Sequence, residues 1–289
     1  MKYKLAVSAI RCRDISGADI KGVTDFLARH FRDCHPDFWR RALERISQHS
    51  GVAGYPRLGY LLESDGSIVG VLLLIFTAIE DNSETYIRCS VSSWCVDPEF
   101  RPYASMLVSQ ALKRREVTYV NATPAPHTWP ILDAQGYYRY SCGRFLSMLA
   151  LHRLPTGCSV KTFTPLIQPG NDLTPFEAEL LLRHQQLGCI SLVCTVDGHR
   201  SPFVFLPPRK RRIIPYVTLV FCRSIKDLVY CAGPLGRALL MRGFAIAVVD
   251  ANGPIPGLRG WFMHGKPKYF RGPNPPRIGD LAYSELVMV

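Results

Sequence analysis

An approximate internal repeat is the feature that most constrains how this chain can fold. A shift of 129 residues aligns Val120-Asn121-Ala122 with Val249-Asp250-Ala251, Gly136 with Gly265, Tyr140 with Tyr269 and Gly143 with Gly272. A second match, between Asp65-Gly66 and Asp197-Gly198, needs a shift of 132. Landmarks that recur at one spacing indicate two copies of one supersecondary unit. The length of 289 residues also suits about two domains.

The first copy combines strand and helix patterns. Apolar residues at helical spacing predict helices over 19–31, 36–46, 104–112 and 130–135. Extended runs predict strands over 5–13, 60–63, 67–77, 86–96, 117–121 and 145–152. Asp65-Gly66 indicates a hairpin between two of these strands, because a tight primed turn needs positive φ.

This order predicts an α/β (α+β) protein with two units of the same kind. Each unit is expected to be a mixed, mostly antiparallel twisted sheet flanked by helices. The predicted domains are 1–154 and 176–289, joined by a linker over 155–175 where Pro, Gly and Thr accumulate.

Composition excludes several classes of protein. Hydrophobic residues make up 47% of the chain and charged residues 20%, which is typical of a folded protein. The longest apolar run, of about ten residues, is too short to cross a bilayer, which takes about 20. The N-terminal residues lack the apolar core of a signal peptide, so we expect a cytoplasmic protein. The ten cysteines form no C-x-x-C pair, so no metal site is expected.

The net charge of +12 favours polyanionic partners such as a nucleotide cofactor, a nucleic acid or an acidic carrier protein. The densest basic cluster is Arg209-Lys210-Arg211-Arg212. It is either a solvated hairpin turn or a patch for phosphates, an acyl carrier protein or RNA.

The segment after the strand over 86–96 has the pattern of an anion site. Val96 is followed by Asp97-Pro98-Glu99-Phe100-Arg101 and then by the start of a helix. Backbone N–H groups at a helix start lack helical partners and, together with Arg101, could bind a diphosphate. The small residues Ala104 and Ser105 would let phosphates approach the backbone.

These residues resemble the acetyl-CoA signature of the GNAT superfamily of N-acyltransferases. Val96, Pro98, Glu99, Phe100 and Arg101 match a Val-x-Pro-(acidic)-(aromatic)-Arg pattern. The family continues with two small positions, which are Ala104 and Met106 in this chain. The order of elements over the first half, including the Gly136-Tyr137 pair, also resembles that of the superfamily.

The resemblance implies that acetyl-CoA or another acyl-CoA binds here and that an amine acceptor attacks the thioester directly. The donor-binding residues it implies are Cys95, Val96, Arg101, Pro102, Tyr103, Ala104, Ser105 and Met106. The family often places a Tyr acid four residues before its Gly-aromatic pair, where this chain has Leu132. Our candidate catalytic residues are therefore His127 as an acid or a base through water, Asn121 at a strand end, and Ser93 lining the cleft.

In the second copy Tyr230 replaces Arg101 and Gly233 replaces Ala104, so we expect that copy not to bind CoA. The main hypothesis is an acyl-CoA-dependent N-acyltransferase acting on a small-molecule amine. One alternative donor is an acyl carrier protein or an aminoacyl-tRNA. Another alternative is a non-catalytic, basic nucleic-acid-binding protein, although the sequence lacks a helix-turn-helix or RNA-recognition motif.

Overall fold

A computed structural model describes residues 10–81, 84–165, 172–208 and 215–289. The chain forms two compact units. Unit 1 contains Met1–Asn121, Gly272–Asn274 and Met288–Val289, and unit 2 contains Ala122–Arg271 and Pro275–Val287. None of the helices in these described ranges has the length and apolarity needed to span a membrane.

Unit 1 contains a sheet whose strands follow chain order. They are β1 (Arg11–Asp14), β2 (Gly59–Ser64), β3 (Ser67–Asp81), β4 (Glu84–Val96) and β5 (Thr118–Asn121). The first four pair antiparallel, and β5 pairs parallel with β4. The helices are α1 (Ile20–His30), α2 (Pro36–Gln48) and α3 (Ala104–Ala111), with 3-10 turns over Gly17–Asp19 and Pro98–Tyr103.

Local sequence explains these elements. Asp65 and Gly66 have φ values of 49° and 75°, so the predicted primed hairpin turn is confirmed. Helix α1 buries Val23, Phe26 and Leu27, whose spacing of three and four residues places them on one face. Pro36 at the first turn of α2 costs nothing there, because its missing N–H would have no helical partner.

Unit 2 contains a sheet in the order β12-β6-β11-β10-β9-β8-β7. Its strands are β6 (Tyr138–Ser147), β7 (Ser159–Thr162), β8 (Ile190–Val196), β9 (His199–Leu206), β10 (Tyr216–Cys222), β11 (Ile246–Ala251) and β12 (Gly260–Arg271). The helices are α4 (Trp129–Ala134), α5 (Pro175–Gln186), α6 (Ile225–Tyr230) and α7 (Ala232–Leu240), and the last helix of the chain, α8, covers Glu285–Met288.

The predicted fold class, a mixed α/β protein with a mostly antiparallel sheet flanked by helices, is confirmed. Several predicted bounds differ from the structure. Strand β6 begins at Tyr138 and ends at Ser147, where a strand over 145–152 was expected, and a 3-10 turn covers Leu149–Leu151. The segment expected to be a linker, 155–175, contains β7.

The compact units also divide at a different place from the predicted domains. Unit 1 ends its first stretch at Asn121 instead of residue 154. The cause is β6, which pairs antiparallel with β11 on one edge and with β12 on the other. Residues 122–154 therefore belong to unit 2 although they precede the predicted boundary.

The strand ladders repeat more regularly than the sequence does. Arg88 pairs with Thr118 across β4 and β5, and Tyr216 pairs with Ile246 across β10 and β11, so both partners shift by 128 residues. The helices α3 and α7, which start at Ala104 and Ala232, are related by the same shift. This shift is one less than the motif alignment gave. It makes Val229, instead of Tyr230, the counterpart of Arg101, and it supports the predicted duplication.

Candidate functional site

The site in unit 1 is a gap that opens between two parallel strands. β4 and β5 pair only at Arg88–Thr118, Cys89–Tyr119 and Ser90–Val120. Strand β5 ends one residue later at Asn121, whereas β4 continues to Val96. Beyond Ser90 the β5-side edge of β4 therefore has backbone groups that β5 does not satisfy, and an extended ligand can pair with such an edge.

A β-bulge in β4 lies at this gap. Against β3, Ser92 is opposite Leu73 and Cys95 is opposite Val71, so Ser93 and Trp94 share one partner position. Ser93 has a φ of 46°, in the left-handed region that non-glycine residues rarely adopt. A bulge bends its strand and redirects backbone and side-chain groups, so it accounts for the divergence of β4 from β5.

The turn after β4 is fixed in place by two half-buried contacts of Asp97. The Asp97 N–H donates to the Val69 carbonyl at 2.8 Å. The Asp97 carboxylate lies 3.1 Å from Nε2 of His30, the last residue of α1. These two contacts hold the chain where the strand passes into the 3-10 turn Pro98–Tyr103.

This turn offers fewer free amides than the sequence suggested. Pro98 and Pro102 have no N–H, and the Phe100 N–H donates to the Asp97 carbonyl at 2.9 Å. The Ala104 N–H donates to the Arg101 carbonyl, because the 3-10 turn continues directly into α3. The exposed Arg101 guanidinium has no ion-pair or hydrogen-bond partner within the described ranges. It is therefore the main positive group available at the turn.

The corresponding gap in unit 2 is filled by the chain itself. β10 pairs with β11 only at Tyr216–Ile246, Val217–Ala247 and Thr218–Val248. Beyond this, β9 covers one edge of β10 as far as Cys222, and residues 279–281 cover the other edge. The Leu281 N–H donates to the Val220 carbonyl at 2.7 Å, and the Cys222 N–H donates to the Gly279 carbonyl at 2.9 Å.

We compared the chain with protein-family models, curated proteins and solved structures. No protein-family model matches the sequence, and no curated protein matches it. Solved structures do match. One is a GCN5-related N-acetyltransferase from Anabaena variabilis, with a TM-score of 0.61 and 12% identity, covering 91% of this chain and 72% of that one. Another, from Kribbella flavida, has a TM-score of 0.55 and 14% identity, covering 91% and 71%.

This chain has the GNAT fold. The match extends over nearly the whole chain. The alignment with a proposed acetyltransferase from Pyrococcus horikoshii covers 98% of this chain and 96% of that one, with a TM-score of 0.57 and 11% identity. The gap beyond Ser90 lies along the part of β4 that ends with Cys95 and Val96, two of the donor-binding residues implied by the sequence resemblance.

The predicted donor residues lie along one continuous stretch of this GNAT-like unit. Cys95 and Val96 end β4, Arg101, Pro102 and Tyr103 form the turn, and Ala104, Ser105 and Met106 begin α3. Most are open to solvent: Tyr103 is 36% exposed and Met106 37%, so the larger Met106 side chain does not close the turn.

Cys95 is unsuited to act as a nucleophile. Burial, helped by the nearby Asp97 carboxylate, raises the pKa of its thiol to about 12. A thiol with such a pKa stays protonated at neutral pH, and only the thiolate is a good nucleophile. Direct transfer to an acceptor, which needs no covalent enzyme intermediate, agrees with this environment.

The predicted catalytic residues fall in both units. Ser93 and Asn121 belong to unit 1, on the two strands that border the gap, and the Ser92 and Ser93 hydroxyl oxygens are 3.0 Å apart. His127 belongs to unit 2, where it is an exposed residue of the 3-10 turn Pro126–Thr128. Leu132, at the position of the usual acid, is buried at 5% exposure.

Two features of the site were missed by sequence reasoning. The first is that the buried indole N–H of Trp94, a residue that the sequence predicted to line the cleft, has no hydrogen-bond partner in the described part of the chain. The second is the segment 279–281 in unit 2. The signal for it was the apolar stretch around Leu281 and Ala282, which follows β12 and is buried at 2% exposure. The basic cluster Arg209–Arg212 lies outside the described residues.

Proposed function

We propose that this protein is an N-acyltransferase that moves an acyl group from acyl-CoA to a small-molecule amine, with its donor site in unit 1. The observation that carries the proposal is the gap between β4 and β5, which opens at a bulge and ends at a turn bearing an unpaired guanidinium. The gap can accept an extended amide-containing arm as an added strand. The turn then provides a cation where the diphosphate of the same molecule would lie.

Trp94 supports the fit of such a ligand. A buried tryptophan N–H almost always finds a partner in the protein or in ordered water. The Trp94 N–H lacks one among the described residues, and Trp94 is one of the two residues of the bulge in β4. A carbonyl group of a bound pantetheine arm would satisfy it.

The chemistry asks little of the protein beyond placement and proton transfer. The thioester supplies an electrophilic carbonyl and a thiolate leaving group. The acceptor nitrogen forms the new C–N bond, the C–S bond breaks with its electron pair on sulfur, and the nitrogen loses one proton. Exposed backbone N–H groups on β4 would stabilise the oxyanion that develops on the carbonyl, and the proton would pass to a base, for which His127 is the candidate from the sequence.

The proposal assigns a single donor site to the chain. In unit 2 the equivalent edge of β10 is already paired with residues 279–281, and the counterpart of Arg101 is Val229. A ligand would have to displace two backbone hydrogen bonds there, and the position equivalent to Arg101 carries no charge.

The first experiment measures CoA binding by calorimetry. Arg101→Ala should raise the Kd about ten- to a hundredfold, since a hydrogen bond to a charged group contributes about 1.5–3 kcal/mol. The matched control is Arg115→Ala, which removes an exposed arginine beyond the end of α3. Equal Kd values for wild type and Arg101→Ala would contradict the placement of the donor, and no binding of CoA or acetyl-CoA would contradict the proposed activity.

The second experiment concerns His127. His127→Ala should lower kcat by about a hundredfold, the lower range for general acid–base catalysis, and leave the donor KM unchanged. An unchanged kcat between pH 6 and pH 9 would remove His127 from the mechanism without affecting the donor site.

A further inference from the structure

Unit 2 contains a cavity of about 310 Å³ that the acyl-donor site does not use. Its polar lining comes from four neighbouring strands and one loop: Thr218 of β10, Asp250 of β11, Arg144 of β6, Lys266 and Lys268 of β12, and Thr123 of the loop after β5. Its apolar lining comes from Ala122, Pro124, Pro126, Pro267 and Leu286. The volume lies at the lower end of small-molecule sites and corresponds to about ten water-sized groups.

The charges in this cavity do not cancel. Asp250 and Lys268 are buried, at 5% and 7% exposure, and the Lys268 Nζ lies 3.6 Å from the Asp250 carboxylate. Lys268 also donates to the Ala122 carbonyl at 2.7 Å. The lysine therefore neutralises the aspartate, and both side chains are fixed by buried contacts.

Arg144 is the charge that remains. The ladder sets Arg144 directly opposite Asp250, and its charge helps to lower the pKa of that carboxyl, but the ion pair within 4 Å is made by Lys268. The half-buried Arg144 guanidinium has no hydrogen-bond or ion-pair partner anywhere in the described ranges. The half-buried guanidinium is therefore open to a ligand, and a carboxylate matches its planar fork with two parallel hydrogen bonds.

The wall facing these charges is rigid. One Glu285 carboxylate oxygen accepts from the Ala122 N–H at 2.6 Å, from the Thr123 N–H at 2.8 Å and from the Thr123 hydroxyl at 3.1 Å. With the Ala122 carbonyl held by Lys268, both polar backbone groups of Ala122 are satisfied. The cavity is therefore formed before a ligand binds, which limits the ordering cost of binding.

We infer that this cavity binds a small monocarboxylic acid with a compact apolar body, its carboxylate on Arg144 and its body against the proline-rich wall. Inorganic phosphate fits less well, because it is polar on every side and would leave the apolar wall of prolines and Leu286 without a partner. Lys266 at the exposed rim adds a second cation that attracts an anionic ligand. This inference does not depend on the proposed acyltransferase activity.

The test compares acids with neutral molecules of the same shape. Phenylacetate, 4-methylvalerate and benzoate are titrated into the full chain beside phenylacetamide, 4-methylvaleramide and benzamide, with inorganic phosphate as a further probe. We expect at least one acid to bind ten or more times tighter than its amide. Acids and amides of equal affinity, no binding of any acid at millimolar concentration, or tighter binding of phosphate would each overturn the inference.

Variants then locate the site. Arg144→Gln should abolish the preference for the acid, and Arg237→Gln, which changes an exposed arginine on α7, should retain it. Lys266→Gln, at an exposed position where folding is not at risk, should weaken acid binding two- to fivefold and leave amide binding unchanged. Retention of the acid preference in both Arg144→Gln and Lys266→Gln would place the ligand elsewhere and refute the assignment.

Discussion

Gly279→Val should displace the segment that fills the unit 2 gap. Gly279 has a φ of +88°, and a Cβ at this position would lie 2.6 Å from the Cys222 sulfur. Cys222 is fully buried, so the sulfur cannot move aside. The left-handed backbone costs a side chain about 1–2 kcal/mol and overpacking adds about 1–3, giving about 2–5 kcal/mol in all.

The interactions that hold the segment are of similar size. Two backbone hydrogen bonds contribute about 1 kcal/mol each. Burial of the Leu281 side chain contributes about 1.5–3 kcal/mol. The strain introduced by Gly279→Val is thus about as large as the free energy that binds residues 279–281 to β10. The substituted segment should therefore be detached from β10 much of the time.

Amide hydrogen exchange measures this directly. The Cys222 and Leu281 N–H groups, which make the two hydrogen bonds, should exchange at least about thirtyfold faster in Gly279→Val, the factor for 2 kcal/mol. The control is Gly243→Val, because Gly243 has a similar φ of +86° with no atom within 4 Å of its Cβ position. Unchanged exchange at Cys222 and Leu281, or equal acceleration in the control, would refute the steric argument.

Three further variants test buried polar groups through urea unfolding. His184→Phe should destabilise the protein by about 2–4 kcal/mol, because the buried imidazole accepts from the Tyr283 N–H at 3.1 Å and the variant leaves that N–H unpaired; a loss below 1 kcal/mol would contradict this. Lys268→Met should cost about 3–5 kcal/mol at pH 7 by leaving Asp250 unpaired. Burial already raises the pKa of Asp250, and Lys268→Met removes a cation that lowers this pKa. Asp250 in the folded variant therefore takes up its proton at a higher pH than in the unfolded chain, and the free energy of unfolding of the variant rises as the pH falls. The loss of stability relative to wild type should shrink from pH 7 to pH 5, and a loss that does not change with pH would argue against the Lys268–Asp250 pair. Asp19→Asn should cost about 1 kcal/mol or less, since the guanidinium that lowers the pKa of Asp19 is partly exposed; that stabilisation is present above the ordinary aspartate pKa and is lost as the pH falls, so a pH-independent difference would contradict it.

Local patterns predicted local structure well. Asp65-Gly66 lies between two extended runs, and Asp-Gly is favoured in tight primed turns because both residues there need positive φ. The structure has the expected turn at these residues. The apolar spacing in 36–46 likewise identified α2, because the face with Trp39 and Leu43 has only one way to be buried. Both features depend on neighbours in sequence, so the residue pattern contains the necessary information.

Pairings between distant residues were not accessible in the same way. The sequence predicted an extended run over 145–152, but neither the start of β6 at Tyr138 nor its partners β11 and β12. The filling of the unit 2 gap depends on Gly279 approaching Cys222 after the whole sheet has formed. Arg144 was also not identified as a binding residue from the sequence. Its role depends on the ion pair between Asp250 and Lys268, which forms only in the folded chain.

The central position of β6 has a consequence for biosynthesis. Ser147 pairs with Ala247, and the other edge of the same strand pairs with residues as distant as Phe270. At a translation rate of about 5–20 residues per second, the ribosome takes roughly 5–20 s to make the first partner after this strand emerges. During that interval a strand with two open edges is exposed on the nascent chain, which makes newly made protein a candidate for chaperone binding before its final ladder can close.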